Sequence, residues 1–268
     1  MKRALTRLIF ADCLFVLFLS VSSLLGGYFE WPLYAAAFVV PTLLLLSLPR
    51  EEDFKMSVFS RSSFSAVSIS LVFPIIFAIF GISFLTSVLM GALGVESGAQ
   101  DVSGNIFYVI AVSAFAPAVF EEMLFRYLPA RLLGTYSKKL TVVYSSILFA
   151  LAHGNLFQIP YALIAGAMFM AVDLVCTSIM PSLMIHFLNN VLSIVWQREE
   201  KDSTFVIAFV TVLLALTLIS VVAIYTKRKQ FKNAFLPFFE DKSKFEFTYQ
   251  LGFYIIVMLF LAMSVYVM

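Results

Sequence analysis

Long apolar runs alternate with short polar islands along the chain, and this alternation is its dominant pattern. About nine of the runs come close to the ~20 residues that a helix needs to cross a bilayer core. The fifth and seventh runs are short, so we expect them to tilt or to be shielded by neighbours. The pattern predicts an all-α polytopic transmembrane helical bundle of about eight or nine spans, forming one integral-membrane domain over residues 1–268. The predicted spans are Leu8–Leu25, Trp31–Leu48, Val67–Leu93, Ile106–Leu128, Leu140–His153, Pro160–Cys176, Pro181–Trp196, Phe205–Tyr225 and Leu251–Met268.

Composition supports this prediction and narrows the partners. The chain is 62% hydrophobic and only 13% charged, whereas soluble domains keep roughly a quarter of their residues charged. No stretch between the spans is long enough to bury a core of its own, so the lipid bilayer is the expected environment. A net charge of +2 is too small to indicate a nucleic-acid partner. Cys13 and Cys176 both fall inside apolar runs, which predicts buried thiols and no disulfide.

The positions of lysine and arginine predict the orientation, because these residues collect in cytoplasmic loops. Positive islands occur at the N-terminus and at Arg50–Arg61, Arg131–Lys139 and Lys227–Lys232, and the loops between them are mostly free of lysine and arginine. Nine spans would place the N-terminus in the cytoplasm and the C-terminus outside. We interpret the first span as an uncleaved anchor, and the short loops favour a prokaryotic plasma membrane.

A few ionisable or amide side chains interrupt the apolar runs, and each needs a reason, because a charge at the centre of a span costs about 2.5–3.5 kcal/mol on insertion scales. We expect Asp12 to reach the membrane interface from its position near the start of the first span. Asp173 lies near the cytoplasmic end of its span, where we expect it to contact water or an interfacial group. The complete set is Asp12, Glu121, Glu122, Arg126, His153, Asp173, His186, Asn189 and Asn190.

The segment "PAVFEEMLFR" at residues 117–126 places three charges in one apolar run. Glu122 and Arg126 are four residues apart in the favourable order, which predicts an ion pair on one helix face. Glu121 points about 100° away and has no partner on its own helix. Pro117 lacks an amide hydrogen, so we expect a kink just before the glutamates.

The two histidines of the chain both fall inside predicted spans. His153 ends the helix of "SILFALAHGN", roughly 22 Å beyond the loop that follows the Glu121 helix, and Glu121 lies roughly 18 Å before that loop, at 1.5 Å per residue. In "PSLMIHFLNNVL", His186 and Asn190 share one helix face. For His186 to reach the same depth, the connection "TSIMPS" has to dip into the bilayer. One shared site explains both histidines better than two separate accidents.

Taken together, the three segments resemble the CAAX-protease and bacteriocin-processing (Abi) family of intramembrane proteases, whose motifs are EExxxR, FxxxH and Hxxx(N/D). The motifs stand here as Glu121–Arg126, Phe149–His153 and His186–Asn190, in the family's order and on separate helices. The resemblance covers a motif core at residues 117–191, and the flanking helices match only as generic spans.

The resemblance implies an intramembrane endopeptidase. It implies that Glu121 activates water, that His153 helps to position it, and that His186 and Asn190 form an oxyanion hole. Glu122, Arg126 and Phe149 would support these residues. The implied substrates are membrane-associated peptides or the C-termini of membrane proteins, and bacteriocin immunity is another role found in the family. The specific substrate, the oligomeric state and any need for prenylation are not encoded in a recognisable way.

Three alternatives stay open at this point. His153, His186 and Glu121 could be ligands of a catalytic zinc ion, but the chain has no HExxH motif, so we predict a metal-independent mechanism without a cofactor. A proton-coupled transporter would also use intramembrane carboxylates and histidines, although the chain shows no two related halves. A non-catalytic membrane scaffold with the same fold is the third alternative.

Overall fold

The computed structural model describes residues 2–25, 30–47, 54–60, 65–93, 102–154, 158–198 and 202–240. Within these ranges the fold is a bundle of nine helices without a strand, which confirms the predicted all-α class. The helices are α1 (Lys2–Leu25), α2 (Glu30–Ser47), α3 (Ala66–Ala92), α4 (Ile106–Leu133), α5 (Lys138–Ala152), α6 (Ile159–Cys176), α7 (Met180–Arg198), α8 (Ser203–Thr226) and α9 (Arg228–Glu240).

Eight of these helices coincide with predicted spans, and their ends differ from the predicted ends by a few residues. By length and hydropathy, α1, α3, α4, α6 and α8 can each cross a membrane, and the apolar part of α2 is somewhat shorter. Large apolar side chains such as Phe84 and Phe107 are exposed on the outside of the bundle, as expected where lipid is the solvent. The protein is therefore an integral membrane protein.

The C-terminal part of the described chain contains a helix that the sequence pattern did not predict. The basic run that begins at Lys227 was expected to be a loop, but it leads into α9, which carries Arg228, Lys229 and Lys232 in its first turns. The sequence pattern missed this helix because a short amphipathic helix has no long apolar run. The ninth predicted span, Leu251–Met268, lies outside the described residues.

Short polar residues begin several of the helices. Asn105 accepts hydrogen bonds from two amides of the first turn of α4, and Ser137 accepts one from Leu140 at the start of α5. Ser65 and Asp202 do the same for α3 and α8. Such N-caps satisfy amides that have no partner within the helix, so they define where the apolar helices begin.

Helix α4 contains two turns of π-helix, one before each of its prolines. The first covers Ala111–Phe115 and precedes Pro117, and the second covers Met123–Tyr127 and precedes Pro129. A proline cannot donate to the carbonyl four residues earlier, and single π-turns of this kind recur at functional sites. The irregularity predicted at Pro117 is therefore a widened turn, and an equivalent one at Pro129 was missed.

The carbonyl four residues before Pro129 is that of Phe125; Pro129 cannot donate to it, and α5 supplies a hydrogen bond. The Ser145 hydroxyl donates to the Phe125 carbonyl oxygen over 2.5 Å. Ser145 is fully buried, so this hydrogen bond fixes α5 against α4 inside the bundle. The contact holds the histidine-bearing helix in a defined register beside the glutamates.

Two apolar clusters make up most of the core, and the candidate site lies between them. The first joins α1, α2, α4 and α5 around residues such as Phe15 and Phe125. The second joins α3, α6, α7 and α8 around residues such as Ile76 and Phe169. Helix α4 contacts α1, α2, α5 and α7, so it connects the two halves. Helix α5 has only 15 residues, and most of them are buried, in agreement with the expected shielding.

The connection between α6 and α7 is partly buried, with its first residue, Thr177, exposed. Ser178 and Ile179 are both fully buried. The segment at residues 54–60 covers them: the amide of Ser57 donates to the Thr177 carbonyl over 3.1 Å, and the amide of Ile179 donates to the Ser57 carbonyl over 3.1 Å. Because two of its three residues lie inside the protein, α7 begins with buried residues, and Ser182 in its first turn is 0% exposed.

The structure corrects two expectations for α1. Asp12 does not reach the interface: it is buried, and the Tyr144 hydroxyl of α5 donates to its carboxylate. A polar partner inside the protein replaces water. Cys13 is a free thiol on the exposed face of α1 and is not buried, whereas Cys176 is a buried thiol outside any disulfide, as predicted. The apolar run gave no information about which face of α1 points outward.

The close contact between α5 and α6 generates a first prediction, at Gly166. A Cβ atom at this position would lie 3.0 Å from the backbone of Ser146 and 3.3 Å from the Phe149 ring. We expect Gly166→Ala to destabilise the fold by about 1–3 kcal/mol, the usual cost of overpacking. Gly81→Ala is the matched control, because nothing lies within 4 Å of its added methyl group. Thermal unfolding in detergent should show a lower midpoint for Gly166→Ala only, and equal midpoints would contradict the close packing.

Candidate active site

The site is built on an ion pair that is completely shielded from its surroundings. Arg126 Nε lies 3.3 Å from Glu122 Oε2, and both side chains are 0% exposed. The two residues are four apart on α4, which is the pairing expected from the sequence. Two charges at this depth need each other, because a buried charge without its partner costs several kcal/mol.

Aromatic rings and α5 surround the guanidinium of Arg126. Its central carbon lies 4.1 Å from the centre of the Phe149 ring and 5.6 Å from that of Phe169. Its Nη1 donates to the Ser145 hydroxyl over 3.2 Å. Ring faces attract cations, and the attraction is stronger where water is excluded. Phe149 therefore does more than pack beside a histidine, since it also covers the buried charge.

His186 lies between the two adjacent glutamates of α4. Its Nδ1 is 2.8 Å from Glu122 Oε1, and its Nε2 is 3.9 Å from Glu121 Oε2. A carboxylate can only accept, so Nδ1 carries a hydrogen and donates it to Glu122. The longer distance exceeds a hydrogen bond, which leaves both Nε2 and the Glu121 carboxylate open to a third group between the helices.

The adjacent glutamates have different environments. The Glu122 side chain is 0% exposed and engaged by both Arg126 and His186, whereas the Glu121 side chain is 15% exposed. Neighbours on a helix point about 100° apart, which accounts for this division. Of the two carboxylates, only Glu121 has the access that a reacting group requires.

His153 caps the C-terminal end of α5, where Gly154 takes a positive φ of 59° and turns the chain away. Its Nδ1 lies 2.7 Å from the carbonyl oxygen of Phe149. A carbonyl can only accept, so Nδ1 donates and the neutral ring presents Nε2 as its lone-pair nitrogen. The Phe149 ring packs edge-on against both histidines, with ring centres 4.8 Å from His153 and 5.7 Å from His186.

The remaining predicted residues lie on α7. Asn190 follows His186 by one turn, roughly 6 Å along the axis, and is half-buried. The adjacent Asn189 has a buried side-chain oxygen that accepts no hydrogen bond from the described residues. The structure thus places the amide of Asn190 on the same helix face as His186, as the spacing required.

Charge interactions with Glu121 extend the site beyond the three motifs. His153 interacts electrostatically with the Glu121 carboxylate, and the Phe149 ring packs against both His153 and His186. The predicted residues of α4, α5 and α7 therefore share one region. Tyr34 of α2 and Tyr161 of α6 also interact with Glu121 electrostatically. Sequence reasoning missed both tyrosines. The only available signal was a single hydroxyl group in an otherwise apolar run, which is common in membrane helices.

The structure corrects the expectation that Asp173 contacts water at the cytoplasmic end of its helix. Asp173 is fully buried, and its carboxylate accepts from the amide and the hydroxyl of Ser182 on α7. Ser182 was missed, because nothing in its sequence neighbourhood sets it apart from other serines in apolar runs.

Metal-ligand geometry is a separate question from the presence of suitable residue types. Within the described part of the chain, no three His, Cys, Asp or Glu side chains are arranged to hold a metal ion. Glu122 already binds His186 Nδ1, and the Phe149 carbonyl binds His153 Nδ1. Each imidazole therefore keeps only Nε2 for any other partner.

Chemically, the site offers a partly accessible carboxylate beside an imidazole whose far nitrogen is tied to a buried ion pair. A carboxylate in such a place can take a proton from water, and Nε2 of the imidazole faces the same space, where it can stabilise a developing negative charge when both ring nitrogens carry a hydrogen. Both groups are mounted on helices, and the hydrogen bonds behind them restrict their movement. The arrangement suits hydrolysis of an acyl group.

The comparisons with known proteins agree with this chemistry. Residues 103–192 match the family model described as type II CAAX prenyl endopeptidase Rce1-like. The match covers roughly a third of the chain and includes all three motifs, from Glu121 to Asn190. No curated protein and no solved structure matches the chain. The resemblance predicted from the motifs is thereby confirmed: residues 103–192 are similar to the Rce1-like CAAX prenyl endopeptidases.

Proposed function

We propose that this protein is an intramembrane endopeptidase that hydrolyses a peptide bond with water activated by Glu121. His153 helps to position the water, and His186 and Asn190 stabilise the oxyanion. The family match supports a CAAX-type protease, and the geometry of the described residues supports the individual roles. Glu122, Arg126 and Phe149 hold these groups in place.

One observation carries the proposal: His186 is held between a sequestered glutamate and an accessible one. Nδ1 lies 2.8 Å from Glu122 Oε1, and Nε2 faces Glu121 Oε2 at 3.9 Å. A purely structural histidine would have no need of the second, partly exposed carboxylate. The juxtaposition brings a base and a hydrogen-bond donor to one space.

The proposed reaction balances with these groups alone. The oxygen of a water molecule attacks the carbonyl carbon while Glu121 accepts one of its protons. The carbonyl oxygen then carries a negative charge, which N–H groups of His186 and Asn190 stabilise. Glu121 returns the proton to the leaving nitrogen as the carbon–nitrogen bond breaks. The second proton of the water stays on the acyl product, so the products are a carboxylic acid and an amine, which exchange this proton to give a carboxylate and an ammonium group.

The oxyanion role imposes a condition on His186. Its Nδ1 hydrogen is already donated to Glu122, so Nε2 can donate to an oxyanion only when the ring carries a hydrogen on both nitrogens. An imidazolium in this position has one carboxylate on each side, from Glu121 and Glu122. The buried glutamate therefore supplies both the orientation of the ring and a compensating charge.

The substrate class follows from the location of the site. Because the groups lie within a membrane helix bundle, the substrates we propose are membrane-associated peptides or the C-termini of membrane proteins. The family match makes a prenylated C-terminal CAAX peptide the first probe, with the same peptide lacking the prenyl group beside it. A role in bacteriocin immunity through the same hydrolysis is the alternative within this family. We further propose a prokaryotic plasma membrane with the N-terminus in the cytoplasm.

Glu121→Gln is the test of the base. The substitution keeps the shape of the side chain but cannot accept the proton, so we expect cleavage to fall by about 10²–10⁴-fold, the usual contribution of a general base. Purified protein in detergent and the prenylated peptide give this rate, and the membrane peptidome of cells with and without the variant identifies natural substrates. Glu240→Gln is the matched control, since Glu240 is exposed at the end of α9.

The neighbouring variant Glu122→Gln should behave differently. It removes the carboxylate partner of buried Arg126 and of His186, so we expect a loss of stability of about 3–5 kcal/mol and a lower unfolding midpoint. Glu121→Gln should keep the wild-type midpoint. Full activity of Glu121→Gln, or an unchanged peptidome in cells that express the wild-type protein, would contradict the proposal and favour the scaffold.

Chelation tests the proposal that the mechanism needs no metal. We expect the cleavage rate to stay constant after prolonged incubation with EDTA and with 1,10-phenanthroline, because Glu121 alone is proposed to activate the water. A rate that falls with chelator and returns with one equivalent of zinc would overturn this assignment. His153, His186 and Glu121 would then be the ligands to test.

A further inference from the structure

Asp173 is a buried carboxylate that the proposed reaction does not use. It lies three residues before the end of α6 and is 0% exposed. It is also close enough to Glu122 and Arg126 to interact with both of their charges. A carboxylate at this depth is costly unless its hydrogen bonds repay the cost, so its partners indicate what it does.

Both oxygens of Asp173 bind one residue in the first turn of α7. Oδ1 accepts from the Ser182 amide over 3.1 Å, and Oδ2 accepts from the Ser182 hydroxyl over 2.6 Å. A two-point contact fixes the rotation of a helix as well as its position along the axis. Ser182 and His186 are four residues apart on the same helix face, so the contact orients the face that carries the histidine.

The first turn of α7 depends on this contact, because the other amides of that turn either have different acceptors or are absent. The Met180 amide donates to the Ser178 hydroxyl oxygen over 3.2 Å. Pro181 has no amide hydrogen, and the Leu183 amide bonds to the Ile179 carbonyl over 3.0 Å. The Ser182 amide differs from these, because it donates to a side chain of another helix, the Asp173 carboxylate. Asp173 therefore acts as an N-cap from outside α7.

The backbone of Asp173 also holds the chain reversal that leads into α7. Its carbonyl accepts from the amides of Thr177 and Ser178 at the end of α6. Thr177 has a left-handed φ of 50°, a conformation that non-glycine residues rarely adopt. One residue thus connects the end of α6, the chain reversal and the first turn of α7.

From these contacts we infer that Asp173 and Ser182 are positioning residues of the active site, which set the height and rotation of α7 so that His186 Nε2 faces Glu121. The inference rests on the proposed function for its effect on cleavage. Neither residue touches the reacting atoms. Misplacing a reacting group by 1 Å can cost on the order of 10²-fold in rate, so a small shift of α7 should be visible in the turnover number.

The test uses Asp173→Asn, Ser182→Ala and Ser182→Thr in the full-length protein. The asparagine of Asp173→Asn can still accept from the Ser182 amide through its oxygen, but the NH2 group that replaces Oδ2 cannot accept from the Ser182 hydroxyl. We expect kcat for the prenylated peptide to fall on the order of 10²-fold with little change in KM. Ser182→Ala should lower kcat less, because the amide contact stays, and Ser182→Thr should restore it because it keeps the hydroxyl.

A second measurement separates positioning from general stability. The chain has only two histidines, so ¹⁵N-histidine labelling gives one set of imidazole resonances for His153 and one for His186. We expect Asp173→Asn and Ser182→Ala to move the His186 resonances and to leave those of His153 in place. The assignment follows from His153→Gln, which removes one set.

Asp12→Asn is the matched control, since Asp12 is, among the described residues, the other buried aspartate and bonds to Tyr144 away from the site. It should lower the unfolding midpoint without moving the His186 resonances or kcat. His186 resonances that stay unchanged in Ser182→Ala, or a loss of kcat in Asp173→Asn no greater than in Asp12→Asn, would overturn the inference. If Asp173→Asn does not fold, the comparison of Ser182→Ala with Ser182→Thr tests the inference by itself. Absence of cleavage by the wild-type protein would instead contradict the proposed function, and the resonances would still test the positioning.

Discussion

The buried charge of Arg126 is the constraint on which the rest of the site depends. An arginine with 0% exposure is tolerated only where a counter-ion, hydrogen-bond acceptors and ring faces replace its water. Glu122 supplies the counter-ion, α5 supplies the serine hydroxyl, and Phe149 and Phe169 supply the rings from the two apolar clusters. Three helices, α4, α5 and α6, must therefore meet at one point, and Glu122 joins them to His186 of α7. The need to satisfy this charge brings together the segments that carry the histidines.

Glu121 is available for chemistry because the adjacent Glu122 already holds other side chains. Glu122 holds Arg126 on one side and His186 on the other, so it neutralises one side chain and orients the next. Glu121 points away from that pair by about 100° and keeps partial access. Two identical residues that are adjacent in sequence thus have opposite tasks, one in holding the structure and one in the proposed chemistry. The difference comes from the helix geometry and from what packs against each face.

Local spacing explains which features the sequence could predict. The helix bundle and the Glu122–Arg126 pair both follow from spacing along single helices, and the structure shows both. The partners of Asp12 and Asp173 could not be predicted, because Tyr144 and Ser182 lie on other helices and are ordinary residues in their own segments. The prediction that Cys13 is buried was wrong for a similar reason: hydropathy identifies an apolar helix but not its outward face. Helix α9 was missed because its pattern is amphipathic and short.

The depth of the site depends on where helices end, not only on where they cross. His153 stands at the end of α5, whose 15 residues span roughly 22 Å at 1.5 Å per residue, and α7 begins from a reversal that is buried at Ser178 and Ile179. Irregular backbone within a membrane protein is tolerated where other protein groups satisfy it. Residues 54–60 do this for the reversal, and Ser145 donates to the Phe125 carbonyl, to which Pro129 cannot donate. Short helices, prolines and a covered turn therefore allow polar groups to gather inside an apolar bundle, which a set of uninterrupted spans could not achieve.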